Sequence, residues 1–380
     1  MDYRRLTLGV AVVGGPLCFA AVTADMFSGG VLLTLQLLLM VTVIIAIAHG
    51  ADWLVDSACR LAQAFGVSHL VIGLTIVAFG TSAPEIAASL LAGFRGNGDI
   101  AVANVVGSNV FNICFILGGV ALILPTGLQV QRPLLRRDAP MLLLGTVLLY
   151  LFVGGLPGTL PPEGPAAFAP SLLNLRLEQG EGAILCVLLV TYLLSLYLRG
   201  DDGAAADEDD FGEASARDLP IFVLGLLCVV GGCSLLVGTA ELDGGQLRGF
   251  GALWFARLWD VPDHVVGITI IAAGTSAPEL VVSLVAAMRG AFGLSAGNLI
   301  GSDIFNFYGV IGLAGLLLQQ PAAAPVVLSP ALITGVIAPI VIVIATIFFM
   351  WTGMRVSRRE GVALVMLGLA RWATDFATLG

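Results

Sequence analysis

Two glutamates, Glu85 and Glu279, stand in the middle of apolar runs, each closing the hexapeptide GTSAPE. A carboxylate inside a membrane span costs on the order of 2.5–3.5 kcal/mol or more, so an intramembrane acid marks a functional site by default. Ala78, Thr81, Ser82 and Glu85 fall at i, i+3, i+4 and i+7, one stripe of a helix, and Ala272, Thr275, Ser276 and Glu279 repeat it. Further on, Ser108 and Asn112 are spaced i, i+4, as are Ser302 and Asn306. Pro84 and Pro278 each remove a backbone hydrogen bond and crowd the carbonyl four residues back, at Gly80 and Gly274. Freed carbonyls near Ala78 and Ala272 can then face a cavity, where broken helices are tolerated in membranes. The stripes offer carboxylates, hydroxyls, amide oxygens and backbone carbonyls, an all-oxygen set. Ca²⁺ takes roughly 6–8 such oxygens in flexible geometry. Two carboxylates would neutralise one Ca²⁺, and Na⁺ could use the hydroxyls and carbonyls. No thiolate or imidazole lies on the stripes, which argues against a site built for Zn²⁺ or copper.

The competing reading is helix packing, for which serine and threonine are common in membrane helices. Repetition weighs against it for the set. The segment 73–112 recurs without a gap as 267–306, with 20 of 40 positions identical. A duplicated acid beside a proline points to a transporter built from two halves. The glycines of the repeats, Gly73, Gly107, Gly267 and Gly301, are assigned to helix packing.

The elements that position these stripes are membrane helices. The chain has 380 residues, 58% hydrophobic and only 11% charged, against roughly 25% charged in soluble domains. The six cysteines lie in hydrophobic runs without metal-ligand spacing, so they read as packing residues. With roughly 20 apolar residues per span, candidates are 6–24, 31–63, 70–94, 101–125, 139–156, 180–198, 219–247, 265–288, 295–318, 330–352 and 361–379. The expected fold class is an all-α membrane protein: ten core transmembrane helices as two inverted five-helix repeats, plus one leading N-terminal hydrophobic helix. The division is 1–29 leading segment, 30–199 first repeat, 200–218 acidic linker and 219–380 second repeat. The leading segment reads as a retained helix, with a cleaved signal peptide as the rival. Pro157–Gly180 reads as an irregular surface loop. Arg132, Arg136 and Arg137 in one short loop and Arg355, Arg358 and Arg359 in another belong on the cytoplasmic side. Five spans per half, an odd number, then inserts the second half upside down. Asp52 reads as structural, and the long first and sixth core spans as a sliding gate.

GTSAPE followed by GSNVFN, and GTSAPE followed by GSDIFN, resemble the two α-repeats of the cation/Ca²⁺ exchanger superfamily, most closely its prokaryotic Na⁺/Ca²⁺ exchanger-like members. The resemblance implies a midmembrane site and alternating access. It implies ligands at Glu85, Thr81, Ser82, Ser108 and Asn112, and at Glu279, Thr275, Ser276, Ser302 and Asn306, with backbone oxygen from Ala78 and Ala272. Some relatives carry aspartate where this chain has Asn306; here an aspartate, Asp303, stands three residues earlier, opposite Asn109. A step of three leaves it ~60° off the Ser302–Asn306 stripe on a regular helix. Asp303 is therefore a candidate ligand that is expected to turn toward another partner.

The function expected is secondary antiport, Ca²⁺ against Na⁺, at the inner or plasma membrane. The alternative is exchange of Ca²⁺ or another divalent cation against H⁺ in the same fold, since protons should compete for paired carboxylates. A channel is disfavoured because a pore needs a ring or filter of repeated ligands. An enzyme is disfavoured because the chain has no HExxH and no Ser–His pair at suggestive spacing. The expected partners are Ca²⁺, Na⁺, H⁺ and the lipid bilayer, with no nucleic acid, no cofactor and no obligatory protein partner.

Overall fold

A computed structural model describes residues 30–94, 98–154, 179–198, 214–243, 246–259, 272–317 and 330–379. The leading segment, nearly all of the proline-rich loop and the acidic linker up to residue 213 lie outside these residues. The first element, α1, spans Gly30–Phe65. A bent pair follows, α2 over His69–Thr81 and α3 over Ala83–Phe94, meeting at 43°. α4 covers Gly98–Val110 and runs through a π-helical stretch, Phe111–Leu117, into α5, Gly118–Ile123. A two-residue strand, β1 (Leu128–Gln129), comes next. Then come α6 (Ala139–Gly154), α7 (Gln179–Leu198) and α8 (Asp218–Val237). The second half continues with α9 (Gly251–Leu258), α10 (Ala272–Thr275), α11 (Ala277–Met288) and α12 (Phe292–Ile304). A π-helical stretch, Phe305–Val310, leads into α13 (Ile311–Leu317), followed by α14 (Pro330–Gly353) and α15 (Arg358–Leu379).

Among the described residues, five helices are long and apolar enough to span a membrane, six if the bent pair counts as one. Two of the other expected spans coincide in part with shorter apolar helices, Ala277–Met288 and Ile337–Gly353. Burial separates the helices by role. In α12 every residue from Gly293 to Ile304 is buried, which places it at the centre. α1, α7 and α8 bury only about a quarter of their span windows (28%, 22% and 28%). Their exposed rows, such as Leu37, Leu38, Val41 and Ile44 on α1, form an apolar exterior suited to lipid.

The sixth core span differs from expectation. The apolar run predicts one helix over 219–247, but α8 stops at Val237 and the chain turns into β2 (Thr239–Asp243), paired antiparallel with β3 (Gln246–Phe250). Gly238 breaks the helix at φ +74°, a conformation that glycine adopts without strain. Beyond it, TAELD alternates apolar and polar residues, the period of a strand rather than a helix.

α1 and α8 cross at two glycines. A Cβ on Gly225 would lie 2.7 Å from the Gly50 carbonyl, and one on Gly50 would lie 3.1 Å from the Gly225 carbonyl. The contact is reciprocal, as an inverted pair requires. Gly50 and Gly225 are 175 residues apart while the repeats are 194 apart. The second half therefore carries about 19 extra residues between its first helix and its conserved stripe, matching the hairpin and α9.

Candidate functional site

The proline breaks are where the sequence puts them, with one difference. Ser82 (φ −77°, ψ 0°) and Ser276 (φ −88°, ψ 8°) are the hinge residues. Each proline falls at the start of the next helix, where its missing N–H removes no intrahelical bond. The Ala78 carbonyl is not freed by the break. It accepts from the Ser82 N–H at 2.9 Å and from the Thr81 hydroxyl at 3.3 Å. The Gly80 carbonyl, four residues before Pro84, likewise keeps a backbone partner at this helix end.

Glu85, Glu279, Thr81, Ser82, Ser276, Ser108, Asn112, Ser302, Asn306 and Asp303 are all buried. Ala78 is buried, Thr275 is half-buried, and Ala272 is described by its backbone alone. The two halves exchange hydrogen bonds. Ser82 Oγ donates to Glu279 Oε1 at 3.3 Å, and Ser276 Oγ donates to Glu85 Oε1 at 3.2 Å. These are equivalent positions 194 residues apart, so each hinge serine serves the opposite glutamate. Ser302 Oγ joins the first of these pairs, 3.0 Å from Glu279 Oε1 and 2.6 Å from Ser82 Oγ. Its counterpart Ser108 instead donates to the carbonyl of Asn104 on its own helix, at 2.8 Å. The site thus departs from twofold symmetry at the serines.

A second reciprocal set lies where the two α-to-π junctions cross. Asn306 Nδ2 donates to Asn109 Oδ1 at 2.9 Å, and Asn112 Nδ2 donates to Asp303 Oδ1 at 2.9 Å. Asp303 occupies the place of Asn109 and accepts the same amide. Its partner is Asn112, itself a candidate ligand, rather than a distant group. Among the described residues no three of His, Cys, Asp and Glu gather as a metal cluster.

Several buried side-chain oxygens in this region have no partner. Glu85 Oε2, Glu279 Oε2, Asp303 Oδ2, Asn112 Oδ1 and Asn306 Oδ1 are buried with no hydrogen-bond partner. All five are acceptors. Leaving buried polar groups unpaired costs roughly 1–3 kcal/mol each, more for charged ones. A cation satisfies several such oxygens at once.

Sequence reasoning alone misses some positions. Asn298 accepts from Thr81 at 3.0 Å through Oδ1 and donates to Ser283 at 3.0 Å through Nδ2. Asn104 makes the matching bond to Ser89 at 3.0 Å. Both pairs are visible as identities between the repeats. The π-helical stretches that carry Asn112 and Asn306 have no signal in hydrophobic periodicity. Gly73 and Gly301 pack α2 on α12 as expected: their Cβ atoms would lie 2.8 Å from the Leu294 carbonyl and 2.7 Å from the Leu74 carbonyl. Gly107 meets no described residue, and Gly267 lies outside them. Asp52 is structural as expected, ion-paired to Arg289 at 2.6 Å, and Asp56 pairs with the same arginine.

The fold and the buried oxygen site together define a membrane transporter for hard cations. The sequence matches the family described as sodium/calcium exchanger protein over residues 35–198 and 218–368, and the chain belongs to that family. It is 32% identical over 361 residues to the sodium/calcium exchanger MaX1 of Methanosarcina acetivorans, covering 89% of this chain and 98% of that one. It is 34% identical over 277 residues to the putative antiporter CaxA of Alkalimonas amylolytica, covering 72% and 78%. The structure superposes on the sodium-calcium exchanger NCX_Mj soaked with zero Na⁺ and Ca²⁺ with a TM-score of 0.66 at 26% identity, covering 87% of this chain and 96% of that one. The protein is therefore a multi-pass cation exchanger of the Ca²⁺-transporting type, and ions are its substrates.

Proposed function

We propose that the protein exchanges Ca²⁺ for Na⁺ across the plasma (inner) membrane by alternating access, with Glu85 and Glu279 as the charged ligands. The observation that carries this reading is the set of four buried acceptor oxygens without donors on the two inverted stripes, one each from Glu85, Glu279, Asn112 and Asn306. One Ca²⁺ balances the glutamate pair. Oxygens of Thr81, Ser82, Thr275, Ser276, Ser108, Ser302, Asn112 and Asn306, with the Ala78 and Ala272 carbonyls, complete its shell and hold Na⁺ in turn. Asp303 acts by holding Asn112 and contributes charge at the edge. The empty, doubly charged site is costly to carry across the apolar barrier. The protein therefore changes sides only when loaded, and competition between cations for one site becomes exchange. α1 and α8, the lipid-facing pair, slide against the buried core.

Purified protein in vesicles tests the coupling. Ca²⁺ uptake should be driven by an outward Na⁺ gradient at matched pH and abolished when choline replaces Na⁺. Uptake driven by a pH gradient without Na⁺ would assign the driver to protons instead.

A further inference from the structure

Two loops that are far apart in sequence meet at one end of the molecule. β1 pairs antiparallel with β4 (Arg355–Val356), and the Val130 N–H donates to the Met354 carbonyl at 2.9 Å. The ribbon gathers exposed Arg132 and Arg136 on one side, and exposed Arg355, Arg358 and Arg359 on the other. Arg358 donates to the Leu122 carbonyl at 3.0 Å, and Arg355 lies beside Glu360. Arg132 and Arg136 meet no carboxylate among the described residues.

These two unpaired cations border a cleft of about 510 Å³, lined by Arg132, Leu135, Arg136, Ile347, Trp351 and Met354. The lining is divided chemically: two guanidinium groups at one edge, an apolar wall at the other. Trp351, 72% exposed, stands in the last turn of the apolar helix α14. Exposed tryptophan at the end of a membrane helix marks the headgroup level. A soluble anion would use the arginines and leave the apolar wall without purpose. A phospholipid uses both.

We propose that this cleft is a binding site for an anionic phospholipid, with Arg132 and Arg136 on the headgroup phosphate and Ile347 and Trp351 against the upper acyl chain. Guanidinium forks suit phosphate oxygens. The lipid would also brace the ribbon that joins the two halves. This site is independent of the ion chemistry above.

Native mass spectrometry of the full chain, with phosphatidylglycerol and phosphatidylcholine as probes, tests the assignment. Wild type should retain phosphatidylglycerol in preference to phosphatidylcholine. Arg132→Gln/Arg136→Gln should weaken that binding roughly 30-fold, a factor of about five per arginine near an anionic surface. Arg132→Lys/Arg136→Lys should keep most of it. Both arginines are exposed, so melting temperatures should stay close to wild type; if the double variant unfolds, Arg136→Gln alone carries the comparison. Equal retention by the glutamine and wild-type proteins, or no preference between the lipids, would overturn the proposal. So would inorganic phosphate binding at this arginine pair without any preference for phosphatidylglycerol, which would assign the cleft to a soluble anion.

Discussion

Glu85 and Glu279 are buried, and each keeps one oxygen without a donor while the other accepts from the opposite half's hinge serine. Replacing either by glutamine keeps the shape and removes a charge that a divalent ion needs. Losing one partner of a buried charge interaction costs roughly 2–5 kcal/mol, so Ca²⁺ flux in vesicles should fall about 30-fold or more. Normal elution on gel filtration would show that the fold persists, and wild-type flux in either variant would refute the site. Asp303 leads to the opposite expectation. Its Oδ1 serves Asn112 as Asn109 Oδ1 serves Asn306. An asparagine side chain in its place would restore the symmetric pair, so Asp303→Asn should leave the apparent affinities for Ca²⁺ and Na⁺ within a few-fold. Asp303→Leu strands the Asn112 amide and should destabilise by about 1–3 kcal/mol. A large affinity loss in Asp303→Asn, measured by isothermal titration, would make the aspartate a ligand. The candidate ligands are legible because the two repeats duplicate them: an acid in an apolar run invites a functional reading, and its repetition strengthens that reading. Asp303's partner was not legible, because the residue it meets is 191 positions away across a helix crossing.

At the scale of elements, the bend between α2 and α3 followed from Pro84, and helix existence followed from long apolar runs. The hairpin after α8 was hidden because TAELD continues an apolar segment, and only its alternation distinguishes strand from helix. Packing of α1 on α8 was equally hidden, since nothing in either run marks Gly50 and Gly225 as the crossing. That crossing leaves no room for a side chain on α8. Gly225→Val would drive methyl groups into the Gly50 carbonyl, 2.7 Å from the first Cβ. Overpacking of this kind costs roughly 1–3 kcal/mol. Thermal unfolding should register that loss. Exchange rates should fall further than stability alone explains, because the proposed mechanism moves α1 and α8 as a pair. Arg289 ties α1 to the end of α11 through Asp52 and Asp56, whereas Arg60 ties α1 to α8 through Asp218 at 2.7 Å. The first link joins the α1–α8 pair, proposed to slide, to the core, and the second lies within the pair. Arg289→Gln should therefore change the exchange rate, while Arg60→Gln should chiefly lower stability. Parallel flux and melting measurements separate the two, and equal effects on flux would remove the distinction.

At the scale of the whole molecule, the β1–β4 ribbon constrains how the chain threads the membrane. Gln129 and Arg355 are paired, so both lie on one side and an even number of crossings must separate them. The sequence puts six candidate spans between them, from 139–156 to 330–352, which satisfies the parity. It puts five between Thr34 on α1 and the start of α8, which is what turns the second half over. The arginines of both ribbon loops then assign that side to the cytoplasm. Single cysteines in a cysteine-free background test the arrangement. Thr126→Cys and Arg359→Cys sit on exposed positions flanking the ribbon and should be labelled together by an impermeant maleimide applied from the cytoplasmic face. Asp207→Cys, in the acidic linker, should share their side, separated from Thr126 by two spans. Gly164→Cys, one span away, should react only from the opposite face. If Gly164→Cys and Asp207→Cys are labelled from the same face, an odd number of spans no longer divides the halves. The reciprocal bonds between equivalent residues, Ser82 with Glu279 and Ser276 with Glu85, would then need a parallel rather than an inverted repeat to produce them. A parallel repeat places equivalent ends on the same side of the membrane. It offers no route to alternate access by exchanging the conformations of two halves, so the labelling pattern tests the transport mechanism together with the topology.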